Sequence, residues 1–159
     1  MASQSELYAA PYTRPMIQRA LIVCVGNICR SPTAEVLMRH ALADKKLEVE
    51  SAGLAALAGK PIDPVAEAVL QAHGLTGKEH VARQVTPELI SQSDLILAME
   101  KRHLAALHAI APQARGKTFL LGRWHGDCEV PDPYGKPREK FDQAYSLIER
   151  LLAGWHRHL

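Results

Sequence analysis

Ala20-Leu21-Ile22-Val23-Cys24-Val25-Gly26-Asn27-Ile28-Cys29-Arg30-Ser31-Pro32-Thr33-Ala34-Glu35 joins two different periodicities. Ala20 to Val25 is a short, almost continuous apolar run, the pattern of a strand buried on both faces. Ser31 is a natural helix N-cap, and Pro32 suits the first helical position. Ala34, Leu37, Met38, Ala41 and Leu42 then recur at helical spacing. A strand, a short loop and a helix therefore follow one another directly.

Moving outward, the alternation continues. Leu47-Glu48-Val49-Glu50-Ser51 reads as a second strand, and Asp63-Pro64 opens a helix that Gly74 ends. Thr86-Pro87-Glu88 opens a shorter helix, and Leu95-Ile96-Leu97-Ala98 is a third strand. Lys101 to Ile110 reads as a helix stopped before Pro112, and Thr118-Phe119-Leu120-Leu121 as a fourth strand. After a long loop from Gly122 to Lys136, Phe141, Ala144, Tyr145, Ile148, Leu151, Leu152 and Trp155 mark a last amphipathic helix. Strands alternating with helices predict a three-layer α/β fold, with a central four-stranded parallel sheet and helices on both faces. Ligands of such sheets bind at the carboxyl ends of strands, so the loop after strand 1 is the first place to look for a site.

The chain has 159 residues, enough for one domain with its own core. Met1 to Met16 is polar and punctuated by proline, and reads as a disordered tail (1–16) before a single domain (17–159). A net charge of +2 is too small to argue for nucleic acid or a membrane surface, so an anionic partner must be caught by a local site. Cys24, Cys29 and Cys128 form neither a disulfide framework nor a zinc knuckle. With no signal-like leader and no spanning apolar run, the expected setting is the cytoplasm, with reduced thiols. The histidines offer no convincing ligand set, and no metal or other cofactor is assigned.

The loop carries its own chemistry. Five residues separate Cys24, at the end of the strand, from Arg30, and a helix starts straight after. A tight loop entering a helix turns successive N–H groups inward and makes an anion nest. Gly26 allows unusual backbone angles, and Asn27 tolerates the left-handed region. Arg30 offers a planar fork to two phosphate oxygens, which lysine does not match. The same setting favours the thiolate of Cys24, a nucleophile toward phosphorus. From its position, Ser31 is placed to hydrogen-bond that sulfur. The loop Val25, Gly26, Asn27, Ile28, Cys29, Ser31 thus reads as a phosphate cradle with Cys24 beneath it.

The run Val23-Cys24-Val25-Gly26-Asn27-Ile28-Cys29-Arg30-Ser31-Pro32-Thr33-Ala34-Glu35 resembles the signature of low-molecular-weight protein-tyrosine phosphatases. The resemblance extends through Glu50-Ser51-Ala52-Gly53-Leu54, His80-Val81-Ala82-Arg83-Gln84, Asp94-Leu95-Ile96-Leu97 and Pro131-Asp132-Pro133-Tyr134-Gly135. It implies a sheet order of 2-1-3-4, a phosphocysteine intermediate and a general acid at Asp132. It also implies a supporting hydrogen-bond network of Asn27, Ser31, Ser51 and His80, and a substrate wall of Tyr134, Leu54 and Leu57. The family often has a bulky aromatic near Leu54 and Leu57; the aliphatic pair here implies a more open wall. A reversible Cys24–Cys29 disulfide that shields the nucleophile and a mere packing role for Cys29 both stay open.

Met99-Glu100-Lys101-Arg102-His103, Arg115-Gly116-Lys117 and Cys128-Glu129-Val130-Pro131-Asp132-Pro133-Tyr134 are most similar to the bacterial branch tied to capsule and exopolysaccharide production. This likeness implies a monomeric enzyme whose partner is a phosphotyrosine protein, the tail of a membrane-bound autophosphorylating tyrosine kinase. It implies neither nucleic acid nor membrane insertion. Three rivals are disfavoured. An arsenate reductase of this fold needs two more cysteines between about Arg83 and Leu95, where this chain has none. A protein-arginine phosphatase carries threonine where Ile28 stands. A phosphopeptide-binding module needs neither Cys24 nor Asp132.

Overall fold

The computed structural model describes residues 17–159, so the tail expected over 1–16 lies outside the described residues. Four strands, β1 (Arg19–Cys24), β2 (Glu48–Gly53), β3 (Leu95–Ala98) and β4 (Thr118–Leu120), form one sheet in the order β2-β1-β3-β4. All three pairings are parallel, with Cys24 opposite Gly53 and Val23 opposite Ala98. The expected architecture and strand order are therefore those observed.

Period-two alternation explains why β1 reads as continuously apolar. Ala20, Ile22 and Cys24 join one core cluster, and Leu21 and Val23 join the other. The first cluster is closed by helices α1 (Arg30–Ala41), α2 (Pro64–Ala72) and α5 (Arg138–Trp155). The second is closed by α3 (Pro87–Gln92) and α4 (Lys101–Ile110). Helices thus cover both faces of the sheet, and its upper rim, where the strands end, is left for loops.

Two caps follow the sequence reading. Asp63 Oδ1 accepts from the N–H groups of Val65 (2.8 Å) and Ala66 (3.3 Å), and Thr86 Oγ1 accepts from that of Leu89 (3.2 Å). The third does not. Helix α1 begins two residues earlier, at Arg30, with Cys29 at the cap and no side-chain capping bond. Ser31 is a helical residue whose hydroxyl is occupied elsewhere, as described below. Helix α5 starts at Arg138, earlier than its apolar stripe suggests, because its first turn, Arg138-Glu139-Lys140, is wholly polar. Among the described residues, no helix is long and apolar enough to cross a membrane.

Candidate active site

The β1–α1 loop is shaped by its carbonyls. Those of Cys24, Val25 and Gly26 accept from the N–H groups of Leu54 (2.9 Å), Ala55 (3.0 Å) and Leu57 (3.0 Å) in the loop after β2. The Ile28 carbonyl accepts from Asp63 N–H at 2.8 Å, and the Asn27 carbonyl meets His80 Nε2 at 2.6 Å. With the carbonyls satisfied outward, Gly26, Asn27, Ile28 and Cys29 donate no backbone hydrogen bond to the described residues. The same four residues line a cavity of about 200 Å³ together with Cys24, Arg30, Asp132 and Tyr134. A ring of unspent donors at a helix N-terminus fits a tetrahedral oxyanion.

Asn27 is the loop's left-handed residue, with φ +58°. Gly26, expected to supply the unusual angle, is not among the residues of positive φ. A Cβ at Gly26 would meet Ile28 and Leu57 at ordinary van der Waals distance, so its bareness mainly keeps the cavity open. The buried Asn27 side chain fixes the loop from within. Its Oδ1 accepts from Arg83 N–H (2.9 Å), which sets the amide orientation. Its Nδ2 then donates to Ser31 Oγ (2.8 Å) and Ser51 Oγ (3.0 Å). Because Ser31 Oγ already accepts there, its own proton is free for Cys24 Sγ at 2.9 Å.

Arg30, only 2% exposed, is oriented by residues far away in the chain. Its Nη1 donates to Glu100 Oε2 (2.6 Å) and to the Val130 carbonyl (2.8 Å). Its Nη2 lies 3.7 Å from Asp132 Oδ2. Burial pushes the Glu100 carboxyl upward, but hydrogen bonds from Arg102 and Arg30, and the Arg30 charge, outweigh it and hold the pKa at about 2. Next to this pair, burial and the Arg30 charge lower His103 to about 4. His103 is therefore neutral near pH 7, with Nδ1 accepting from Glu100 N–H (3.2 Å).

Asp132 stands at the mouth of the cavity with its side chain 45% exposed. Its Oδ1 accepts from Tyr134 N–H (3.0 Å), a local turn that presents the carboxyl. Tyr134 and Leu57 are exposed apolar walls beside it. Leu54, expected on this wall, is not there. In the turn just after β2 it packs on the second core cluster, and Ala55 lines the cavity instead.

Cys29 is buried, and burial above all, with the charges of Asp63, Asp132 and Cys24, pushes its thiol far up. It is a protonated packing thiol in this state. Both Cys24 and Cys29 are free.

A larger open cleft of about 590 Å³ lies behind the network, sharing Ser51 and His80 but holding no nucleophile. The chemistry therefore sits in the smaller cavity.

Glu100, Arg83 and the Val130 carbonyl escaped the sequence reading. Glu100 had one usable signal: it follows β3, the neighbour of β1, at the carboxyl end where sheet ligands gather.

The profile of the family described as low molecular weight phosphotyrosine protein phosphatase matches residues 19–159. The low molecular weight protein-tyrosine-phosphatase Wzb of Salmonella typhimurium is 50% identical over 91% of this chain and 95% of its own. The solved structure of Vibrio vulnificus Wzb in complex with benzylphosphonate superposes with a TM-score of 0.87 at 44% identity, over 91% of this chain and all (100%) of that one. The YwlE arginine phosphatase of Geobacillus stearothermophilus shares the fold (TM-score 0.84) at lower identity, 33%, over 89% of this chain and 92% of that one. With the loop, the sheet order and the similarity all in agreement, the chain belongs to the low molecular weight phosphotyrosine protein phosphatases.

Proposed function

We propose that this tyrosine phosphatase works through a phosphocysteine formed on Cys24, with Arg30 and the loop N–H groups holding the phosphoryl oxygens and Asp132 moving the proton. In the first step the Cys24 thiolate attacks phosphorus and the bond to the tyrosine oxygen breaks. The Asp132 carboxylic acid gives its proton to the departing phenolate. In the second step water attacks the phosphocysteine, Asp132 takes a proton from it, and the sulfur leaves as thiolate with inorganic phosphate as product. The Ser31 hydroxyl stabilises that sulfur anion. Asn27, Ser51 and His80 hold the cradle in shape.

One observation carries this reading. The Cys24 sulfur meets a hydroxyl at 2.9 Å beneath four unspent N–H groups, while a carboxyl stands at the mouth of the same cavity. Ile28 on the rim favours a phenyl ring over a guanidinium, against an arginine phosphatase. The natural substrate is the phosphorylated tail of a membrane-bound bacterial tyrosine kinase controlling capsule or exopolysaccharide export. The resemblance to the capsule-associated branch supports this reading, as does the similarity to Wzb and to the probable phosphatase AmsI of Erwinia amylovora. The enzyme acts as a cytoplasmic monomer.

Rapid acid quench during turnover of a ³²P-labelled aryl phosphate tests the mechanism. Label is expected on Cys24 of the wild type, in larger amount in Asp132→Ala if breakdown of the intermediate is slowed, and on no site in Cys24→Ser. Turnover by Cys24→Ser equal to wild type overturns it. Dephosphorylation of a phosphotyrosine kinase tail in preference to a phosphoarginine protein tests the substrate, and the reverse preference refutes it.

A further inference from the structure

The loop carrying Asp132 departs from β4 and has no regular structure of its own, yet a general acid must be held over a departing oxygen. Besides an isolated antiparallel bridge between Gly122 and Cys128, two fastenings are visible just before Asp132. Val130 is fully buried; its N–H donates to the Met99 carbonyl (3.0 Å) and its carbonyl accepts from Arg30. One residue earlier, Glu129 Oε2 accepts from the backbone N–H of Lys101 at 2.7 Å. Lys101 is the first residue of α4, so its N–H has no partner inside the helix, and the helix dipole adds to the attraction for a carboxylate.

We infer that Glu129 is a positioning residue for the general acid: by clamping the Asp132 loop to the first turn of α4, it fixes where the proton is delivered. This rests on the proposed acid role of Asp132. Glu129 does not line the cavity and acts only through the loop. Val130 fastens the loop to the arginine, which senses phosphate. Glu129 fastens it to the first turn of a helix, three residues from the acid.

The geometry supplies a clean partner substitution. Lys101 is the first helical residue, and Glu100 before it is extended (φ −140°, ψ 153°), the backbone that proline requires of its predecessor. Lys101→Pro therefore removes the N–H that Glu129 accepts and leaves the helix its best first residue. The test is kcat/KM, which reports through the first chemical step, on phenyl phosphate and on 4-nitrophenyl phosphate. Glu129→Ala and Lys101→Pro are each expected to lose about fivefold on phenyl phosphate, whose poor leaving group needs the proton. The loss on 4-nitrophenyl phosphate is expected to stay below about twofold, which also shows that the variants fold. The double variant should be no worse than either single one, since both remove the same bond. Equal losses on the two substrates, additive losses or none overturn the inference. Asp132→Ala, run alongside, separates the two levels. If it shows no leaving-group dependence, the acid role falls and this inference with it. If it does and the Glu129 variants do not, only the clamp is wrong.

Discussion

The loop from Cys24 to Ser31 and the segment from Glu129 to Tyr134 meet at one cavity but are held in opposite ways. The first is buried; five of its carbonyls are engaged by three separate parts of the chain, and the Asn27 side chain ties it to two serines and a backbone N–H. The second hangs on Val130, on one exposed carboxylate bond from Glu129 and on a local turn at Asp132. Electrostatic stabilisation of a phosphoryl group gains from donors that need no rearrangement as charge develops. A proton donor at the mouth must also let substrate in and phosphate out. Rigidity is concentrated where the charge is held, and the acid is left half-exposed. Arg30 joins the two, through Val130 and Asp132.

The sharpest way to break this contrast is to strike each side in turn. Cys24→Ser removes the nucleophile and should lower kcat by at least about 10³-fold, measured on 4-nitrophenyl phosphate, while the fold persists. Glu100→Ala leaves the buried Arg30 charge without its partner. A loss of about 3 to 5 kcal/mol in urea unfolding is expected, with a raised KM for phosphate esters. Asp132→Ala strikes only the exposed side. Stability should hold, and kcat/KM should fall about 10²-fold on phenyl phosphate and much less on 4-nitrophenyl phosphate. A stability loss from Asp132→Ala as large as that from Glu100→Ala would erase the distinction.

Acid should probe the buried side selectively. Folding depresses His103 from 6.5 to about 4, so the folded protein resists a proton that the unfolded chain takes up. Stability from this group is complete above pH 6.5 and is lost as pH falls from 6.5 through 4. Glu100, depressed from 4.5 to about 2, is stabilising above pH 4.5, and that contribution is lost as pH falls through 2. The two windows adjoin, and each is worth on the order of 3 kcal/mol. Urea unfolding at pH 7, 5.5 and 4 should therefore show a steady decline. His103→Asn keeps an acceptor for Glu100 N–H and should flatten that decline. An unchanged slope in this variant would place the acid sensitivity elsewhere.

The contrast also explains what could be read in the sequence. Cys24 to Ser31 form one continuous stretch whose chemistry is local, so both the fold and the cradle were legible there. Strand β1 was clear because burial on both faces leaves no polar position after Arg19. Glu100 and the Val130 carbonyl are 70 and 100 residues from Arg30, and a main-chain carbonyl leaves no trace in residue type. Ser31 was misread as a cap because the pattern Ser-Pro is blind to a sulfur that competes for the hydroxyl. Asn27 adopts the left-handed angle it was read as tolerating, whereas Gly26 does not need its own freedom; either residue tolerates positive φ, and only the network shows that the asparagine takes it. Leu54 was misplaced because it lies in the turn just after β2, and a turn, unlike a strand, carries no simple periodicity that tells which side chain faces the cavity.

The smallest expected effect lies on the exposed side. Tyr134 is 57% exposed and Leu57 44% exposed, so neither contributes much to the core. Their value is to the bound ring alone, as two walls of an open slot. Removal of one aromatic wall costs about 1 kcal/mol of stacking, so Tyr134→Ala should raise KM for a phosphotyrosine peptide about fivefold. Inorganic phosphate, which has no ring, should inhibit wild type and variant equally, because the cradle is untouched. Tyr134→Phe should behave as wild type, since the ring face and not the hydroxyl makes the wall. If Tyr134→Ala weakened phosphate inhibition as much as peptide binding, the tyrosine would be acting on the cradle through Asp132, and the two loops would be one rigid unit after all.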